Sequence, residues 1–181
     1  MTISAEEFLR RLAEGETFED ESLSGIDLSG ANLKNANLAG VDLSKANFAG
    51  ANLTNANLRQ ADVSGADFTE ANLSEADLTE VNASTADFTS ANLENAILCE
   101  ADLSGAVMIS ASLVDADASD ADFSGSDLTE AQLNGTTLSG ADLSNANLTG
   151  ADLTDADLSD ANLAEATLDD VVGYEPEDEE Y

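Results

Sequence analysis

The chain has no histidine, no tryptophan, one cysteine and only five basic residues among 181. Without histidine it lacks the side chain that most often titrates near neutral pH and the commonest metal ligand. The lone Cys99 excludes an internal disulfide framework and suits a reducing compartment. No apolar run approaches the ~18 residues of a membrane-spanning helix. The opening stretch MTISAEEFLRRLAEG carries acids and no long apolar core, so it does not read as a secretory signal, and the expected location is cytoplasmic.

What is present in excess is acid: 38 Asp and Glu against 5 Lys and Arg, a net charge of −33. The imbalance is also lopsided. All five bases (Arg10, Arg11, Lys34, Lys45 and Arg59) precede residue 60, and 29 acids with no base follow. Such a surface repels nucleic acid and anionic lipid, so direct nucleic-acid binding and a membrane role are not expected. It attracts cations or basic proteins. The alternative sources of the acidity are solubility and adaptation to high salt.

From Glu16 to Asp170 the chain divides into 31 pentads with no insertion or deletion. The first place is Ala in 24 of them, and the third is Leu in 22 and Phe in 5. The second is mostly Asp or Asn. In an α-helix five residues advance the side chain by ~140° net, which scatters the leucines around the axis. In a flat strand an odd period sends them alternately to opposite faces. A path that turns a corner once per pentad rescues them: third and first places face inward, and second, fourth and fifth places face out. Ten of the 12 glycines occupy the fifth place, where a tight turn needs positive φ.

Phe48, Phe68 and Phe88 recur at intervals of 20, and Met108 continues the series. Large core residues stack best on one another in successive coils, so this spacing implies four pentads per coil and a square cross-section. Thirty pentads from Glu21 make seven and a half coils, a rod roughly 36 Å long at the spacing of paired strands. Ala83 and Ala118 replace the central leucine. Val81 enlarges the first place beside Ala83, whereas nothing in ADASD compensates for Ala118, so a cavity or local pinching is expected there.

The pentads ANLKN, ADFTE, ADLSG and ANLTG resemble those of the pentapeptide repeat family, with its pattern A(D/N)LXX. The resemblance spans most of the chain. It implies an all-β solenoid, a right-handed quadrilateral parallel β-helix of about 7–8 coils here; the handedness comes from the resemblance alone. One branch of that family dimerises through C-terminal coils, so a monomer and a C-terminal homodimer both stay open.

Three segments are expected: an N-terminal capping helix in 1–15, the β-helix in 16–170, and an acidic tail in 171–181 that ends in disorder. Ser4 and Glu7 have the spacing of a capping box. Phe8, Leu9 and Leu12 share one helical face, and Gly15 is placed to end the helix. Val171, Val172 and Tyr174 are placed to fold over the last coil.

No phosphate loop or dinucleotide fingerprint is present, and carboxylates at outward repeat positions offer no cleft for acid–base chemistry, so no enzyme and no cofactor are expected. Asp152, Asp155, Asp157 and Asp160 form an acidic cluster, but the EF-hand spacing is absent and specific metal binding is not expected. In the coil 96–115, Ile97, Cys99, Val107, Ile109 and Val114 occupy outward places that are polar elsewhere; they are a candidate interaction belt, weighed against plain drift.

Between Ala61 and Asp170 lie 24 acids and no base, distributed 5, 7, 5 and 7 over the four sides. That is about one charge per ~1.1 Å of rod, against one per ~1.7 Å in duplex DNA. Asp117, Asp120, Asp152, Asp155, Asp157 and Asp160 are the candidate anionic surface. Two functional readings follow. The first is a non-catalytic scaffold that binds a protein. The second is a DNA mimic acting on gyrase or another basic DNA-binding protein, a role the resemblance implies for the family's gyrase-protecting branch. A third, ice binding, would need regular threonine ranks on one flat side; Thr54, Thr69, Thr79, Thr89 and Thr129 do not form one.

Overall fold

The computed structural model describes residues 3–18 and 22–174. One pentad, 66–70, contains the logic of the coil. The Asp67 N–H donates to the Ala46 carbonyl at 2.9 Å, and the Phe68 N–H donates to the Asp87 carbonyl at 2.7 Å. Neighbouring residues thus pair with opposite coils, as alternate residues of a parallel strand do. The Glu70 N–H reaches the Thr89 carbonyl at 3.0 Å, and the Ala71 N–H closes the corner onto the Phe68 carbonyl at 2.9 Å.

Repetition of this unit gives parallel bridges between residues i and i+20, from Ser22↔Asp42 to Asp152↔Val172. A coil is therefore four pentads. Each side contributes a single bridged residue, so none of the described sides is an extended strand. The centroids of stacked phenylalanines are 4.8 Å apart, which measures the rise per coil.

Third places form four columns of buried side chains down the centre, and first-place alanines fill the corners between them. Phe48, Phe68 and Phe88 stack with interplanar angles of 5° and 0°, and Met108 follows in the same column, fully buried. Ala83 and Ala118 are buried too. Each is followed on the next side of its coil by a buried phenylalanine, Phe88 and Phe123. Ala118 is thus fully buried, with a buried ring one pentad further along the chain.

The corners need a left-handed residue at the fifth place. Glycine supplies it at Gly65 (φ +63°), but Glu70 (φ 57°), Thr85 (φ 57°) and Asp120 (φ 57°) adopt it as well. For an ordinary residue that conformation costs roughly 1–2 kcal/mol. The ladder bond of the fifth-place N–H and the corner bond after it hold it in place.

The second place was expected merely to face out. Its acceptor oxygen instead caps the turn: Asp67 Oδ1 accepts from the Thr69 N–H at 2.9 Å, and Asn72 Oδ1 from the Ser74 N–H at 3.0 Å. Where the fourth residue is Ser or Thr, its hydroxyl often donates to the same oxygen, as Ser104 does to Asp102 at 2.6 Å. This is the physical reason for Asp or Asn at that place.

Helix α1 (Ala5–Ala13) precedes the coils. Ser4 Oγ accepts from the Glu7 N–H at 3.2 Å. The reciprocal half of the capping box is not made: the Glu7 carboxylate turns to Arg10 instead, at 2.7 Å. At the other end the ladder runs past Asp170, because the Val172 N–H donates to the Ala151 carbonyl at 2.9 Å. Val171 and Tyr174 are partly buried against the core, while Val172 is 55% exposed. The acidic tail expected in 171–181 lies, from 175 onward, outside the described residues.

Candidate functional site

Because the coil length is 20, residues 20 apart form one rank on the surface, and the four sides can be compared rank by rank. Asp117, Asp120, Asp157 and Asp160 share one side, separated by the uncharged pentad TTLSG; Asp152 and Asp155 lie on the adjacent side. On the first of these sides the second-place rank runs Asp77, Ile97, Asp117, Thr137, Asp157. Carboxylate and uncharged residue alternate, so like charges stand two coils, about 10 Å, apart at a rise near 4.8 Å.

The rank Asp102, Asp122, Asp142 is different: three carboxylates stack in successive coils. Sequence counts by side missed this line, because it exists only once the 20-residue repeat fixes which residues are vertical neighbours. Two unit charges ~5 Å apart repel by roughly 1 kcal/mol in water and several-fold more at the lower effective dielectric of a protein surface. Within the same rank asparagine relieves such contacts: Asn162 Nδ2 donates to Asp142 Oδ1 at 3.0 Å, and Asn82 Nδ2 donates to Asp62 Oδ1 at 3.2 Å. Asp122→Asn should therefore raise stability by about 0.5–1 kcal/mol, since it keeps the turn-capping oxygen and replaces repulsion with a hydrogen bond. Thermal unfolding of the two proteins side by side checks this; a lower melting temperature would show that the stacked charges are not in repulsion.

The turn bonds also act on ionisation. The Ser119 hydroxyl holds Asp117 below the ordinary aspartate range, the Thr154 hydroxyl does so for Asp152, and the Ser159 hydroxyl for Asp157. At Asp77 burial pushes upward most strongly, but the hydroxyl and N–H of Thr79 together with Arg59 outweigh it. These pKa values are depressed in the folded state. Their stabilising contribution is complete above the unfolded aspartate value of about 3.9 and is lost as pH falls through the lower folded values. In 1 M NaCl, which screens the net charge, the urea midpoint should fall between pH 5 and pH 3; a flat profile would contradict the role of the turn bonds.

The apolar belt does not form one patch. Ile97 and Cys99 lie on one side, Val107 and Ile109 on the opposite side, and Val114 on a third. Ile97 is 42% exposed, and the other four are half-buried. In these three pentads the second place is Ile97, Val107 or Ser112, so no Asp or Asn oxygen caps the fourth-place N–H. With that acceptor gone, a fourth-place hydroxyl has no local partner, and apolar residues replace it. Burial pushes the Cys99 thiol up to about 11, aided by Asp117, so it stays protonated at neutral pH and is a poor nucleophile.

At the N-terminal end, Phe8 is fully buried and its ring lies 4.7 Å from that of Phe18. Leu9 and Leu12 are partly buried against the core. The Arg11 guanidinium sits 4.9 Å from the Phe18 ring centroid. Among the described residues no cluster of His, Cys, Asp or Glu has the arrangement of a metal site, and no helix is long and apolar enough to cross a membrane.

The family model for pentapeptide repeats matches the chain in eight copies, within residues 22–60, 46–84, 86–125 and 126–164. Among solved structures the chain is similar to HetL, a pentapeptide repeat protein involved in heterocyst differentiation regulation from the cyanobacterium Nostoc sp. PCC 7120. Identity is 29%, over 94% of this chain and 98% of HetL, with a TM-score of 0.42. It is also similar to Rfr23 of the cyanobacterium Cyanothece 51142, at 34% identity over 53% of this chain and 63% of Rfr23, with a TM-score of 0.45. A third relative is QnrB1, a plasmid-mediated fluoroquinolone resistance protein, at 27% identity over 79% of this chain and 77% of QnrB1, with a TM-score of 0.41. No curated protein matches the chain.

Proposed function

The chain belongs to the pentapeptide repeat family, and from that premise we propose that it is a non-enzymatic interaction rod whose anionic surface docks a basic protein. The right-handed coil sense of the family goes with this reading, as does a division into a capping helix in 1–15, the β-helix and an acidic tail. Burial of Phe8 against Phe18 supports the capping role, because an open solenoid end exposes unpaired backbone and core.

The observation that carries the proposal is the 110-residue stretch from Ala61 to Asp170, with acids on all four sides and no base. Many of its second-place carboxylates are pinned by turn hydrogen bonds and stand at a fixed rise of 4.8 Å. A rigid array of this kind loses little entropy when cations of a partner settle on it. Asp102, Asp122 and Asp142, three second-place carboxylates in successive coils, are the first place for lysine or arginine to dock; Glu80, Glu100 and Asp120 form a second line of three at the fifth place.

A second reading, mimicry of DNA, is favoured by one further feature: the charge runs round the rod, as it does round a duplex, and is at least as dense per ångström. Supercoiling by DNA gyrase, titrated with this protein at 50 and 300 mM salt, separates the two. Mimicry gives inhibition at low salt that weakens steeply at high salt. No inhibition at micromolar protein and low salt removes the gyrase reading and leaves the general docking rod. That reading would itself fail if the Asp102→Asn, Asp122→Asn, Asp142→Asn triple variant bound a basic model protein such as cytochrome c as tightly as the parent at low salt.

A further inference from the structure

In every complete layer the backbone is used in both directions. The second-place N–H donates downward to a first-place carbonyl, as Asn52 does to Ala31 at 2.9 Å. The third-place N–H donates upward to a second-place carbonyl, as Leu33 does to Asn52 at 2.7 Å. The first coil has no such layer beneath it. At Asn32 both the N–H and the carbonyl point away from the coil above, and neither has a backbone partner among the described residues.

The register explains the vacancy. Residues 11–15 would lie under 31–35, but α1 extends to Ala13, so these residues are taken up by the helix and its end and supply no strand to that layer. What remains is a recess of about 590 Å³. Leu9, Leu12, Leu33 and Ala36 give it an apolar floor, and Asn32 and Lys34 lie along its rim. Glu16 also borders it, but its carboxylate pairs with Arg11 Nε at 2.7 Å. Among the described residues no carboxylate pairs with Lys34. Residues 28–61 hold one acid, Asp42, against Lys34, Lys45 and Arg59, so Lys34 stands on a stretch of coil that is poor in acid, although residues 1–27 carry eight acids against Arg10 and Arg11.

We propose that this edge binds an extended peptide segment of a partner protein by strand addition, in parallel register beneath residues 31–34. The first carbonyl of the segment accepts from the Asn32 N–H, and its third N–H donates to the Asn32 carbonyl, repeating the ladder one layer lower. The third side chain, a leucine or phenylalanine, fills the recess over Leu9, Leu12 and Leu33. A carboxylate on the segment pairs with Lys34. Main-chain bonds then provide binding and the recess provides selectivity. This site is independent of the anionic-rod reading, because it uses the opposite end and a lysine with the open backbone edge rather than the carboxylate ranks.

The test uses the full chain and a dye-labelled peptide with the sequence of residues 150–155, GADLTD, which presents a small residue, a leucine two positions later and two carboxylates. Fluorescence anisotropy should show saturable binding. N-methylation of the peptide leucine removes the N–H aimed at Asn32 and should weaken binding at least tenfold. N-methylation of the first aspartate, whose N–H points away, should change it less than twofold. Lys34→Glu, at an exposed side chain, should weaken binding at least fivefold with an unchanged circular dichroism spectrum. Absence of binding at millimolar peptide overturns the proposal. So does equal tolerance of both N-methyl groups. The reverse pattern, sensitivity only at the aspartate, also overturns it, since stacking on the C-terminal coil uses that N–H instead.

Discussion

Replacing Phe68 with alanine is expected to destabilise the rod by about 3–5 kcal/mol, the range for removing a fully buried ring that the surroundings cannot close over. Phe68 is the middle member of three, and its ring meets Phe48 on one side and Phe88 on the other at 4.8 Å. Parallel planes at that centroid distance are offset-stacked, an arrangement that contributes roughly 0.5–1.5 kcal/mol per pair beyond area. Collapse is hindered because each neighbouring backbone is fixed by ladder bonds above and below. Phe68→Leu is the control. Leucine fits the third place throughout the array, so its cost should stay below about 1.5 kcal/mol. Urea unfolding followed by circular dichroism measures both. Equal midpoints for the two variants would mean that the ring stack contributes nothing particular to the core.

A larger effect is expected from a change of length that breaks phase. Deletion of residues 86–105 removes one full coil; every column closes up on an equivalent residue, with Val81 to Thr85 followed directly by Ala106. Stability in such arrays is nearly a sum over layers and their interfaces, so the shortened protein should fold with a modestly lower melting temperature. Deletion of residues 86–106, one residue more, puts Val107 in an inward first place and leaves the following pentads out of step. Either a corner loses its left-handed residue or a polar place turns into the core. The cooperative transition of the 20-residue deletion should be absent in the 21-residue deletion. A shared melting curve would show that the coil tolerates a four-residue side, against the geometry of the corner bonds.

The square cross-section was legible because the period of the leucines and the interval between phenylalanines are properties of the chain itself. Phe48, Phe68 and Phe88 announce the coil length without any structure. Other features were hidden for identifiable reasons. Asp67 and Asn72 looked like solvent-facing polar residues, since pattern alone does not separate an exposed carboxylate from one that caps a turn. Glycine at the fifth place pointed to the corner, but Glu70 and Thr85 show that the ladder imposes the same φ on residues that disfavour it. Glu7 had the spacing of a capping box, and Arg10 one turn away competed for it. The candidate surface was only partly legible. The abundance of acid could be counted, whereas the vertical line Asp102, Asp122, Asp142 appears only when residues 20 apart are placed on top of one another. The recess at Asn32 needed the exact end of α1, which sequence patterns fix no better than a residue or two.

The backbone scheme leaves one amide per pentad without a backbone partner, that of the fourth residue, held only by the second-place side chain. Hydrogen–deuterium exchange should consequently show a rhythm of five along the rod: slow, protected amides interrupted by one that trades its proton sooner. At Cys99, Ile109 and Val114, as at Asn134, Ser139 and Asp169, no Asp or Asn oxygen accepts from that amide, and there the beat should be loudest, so that the apolar belt is among the places visible in time before any partner touches it.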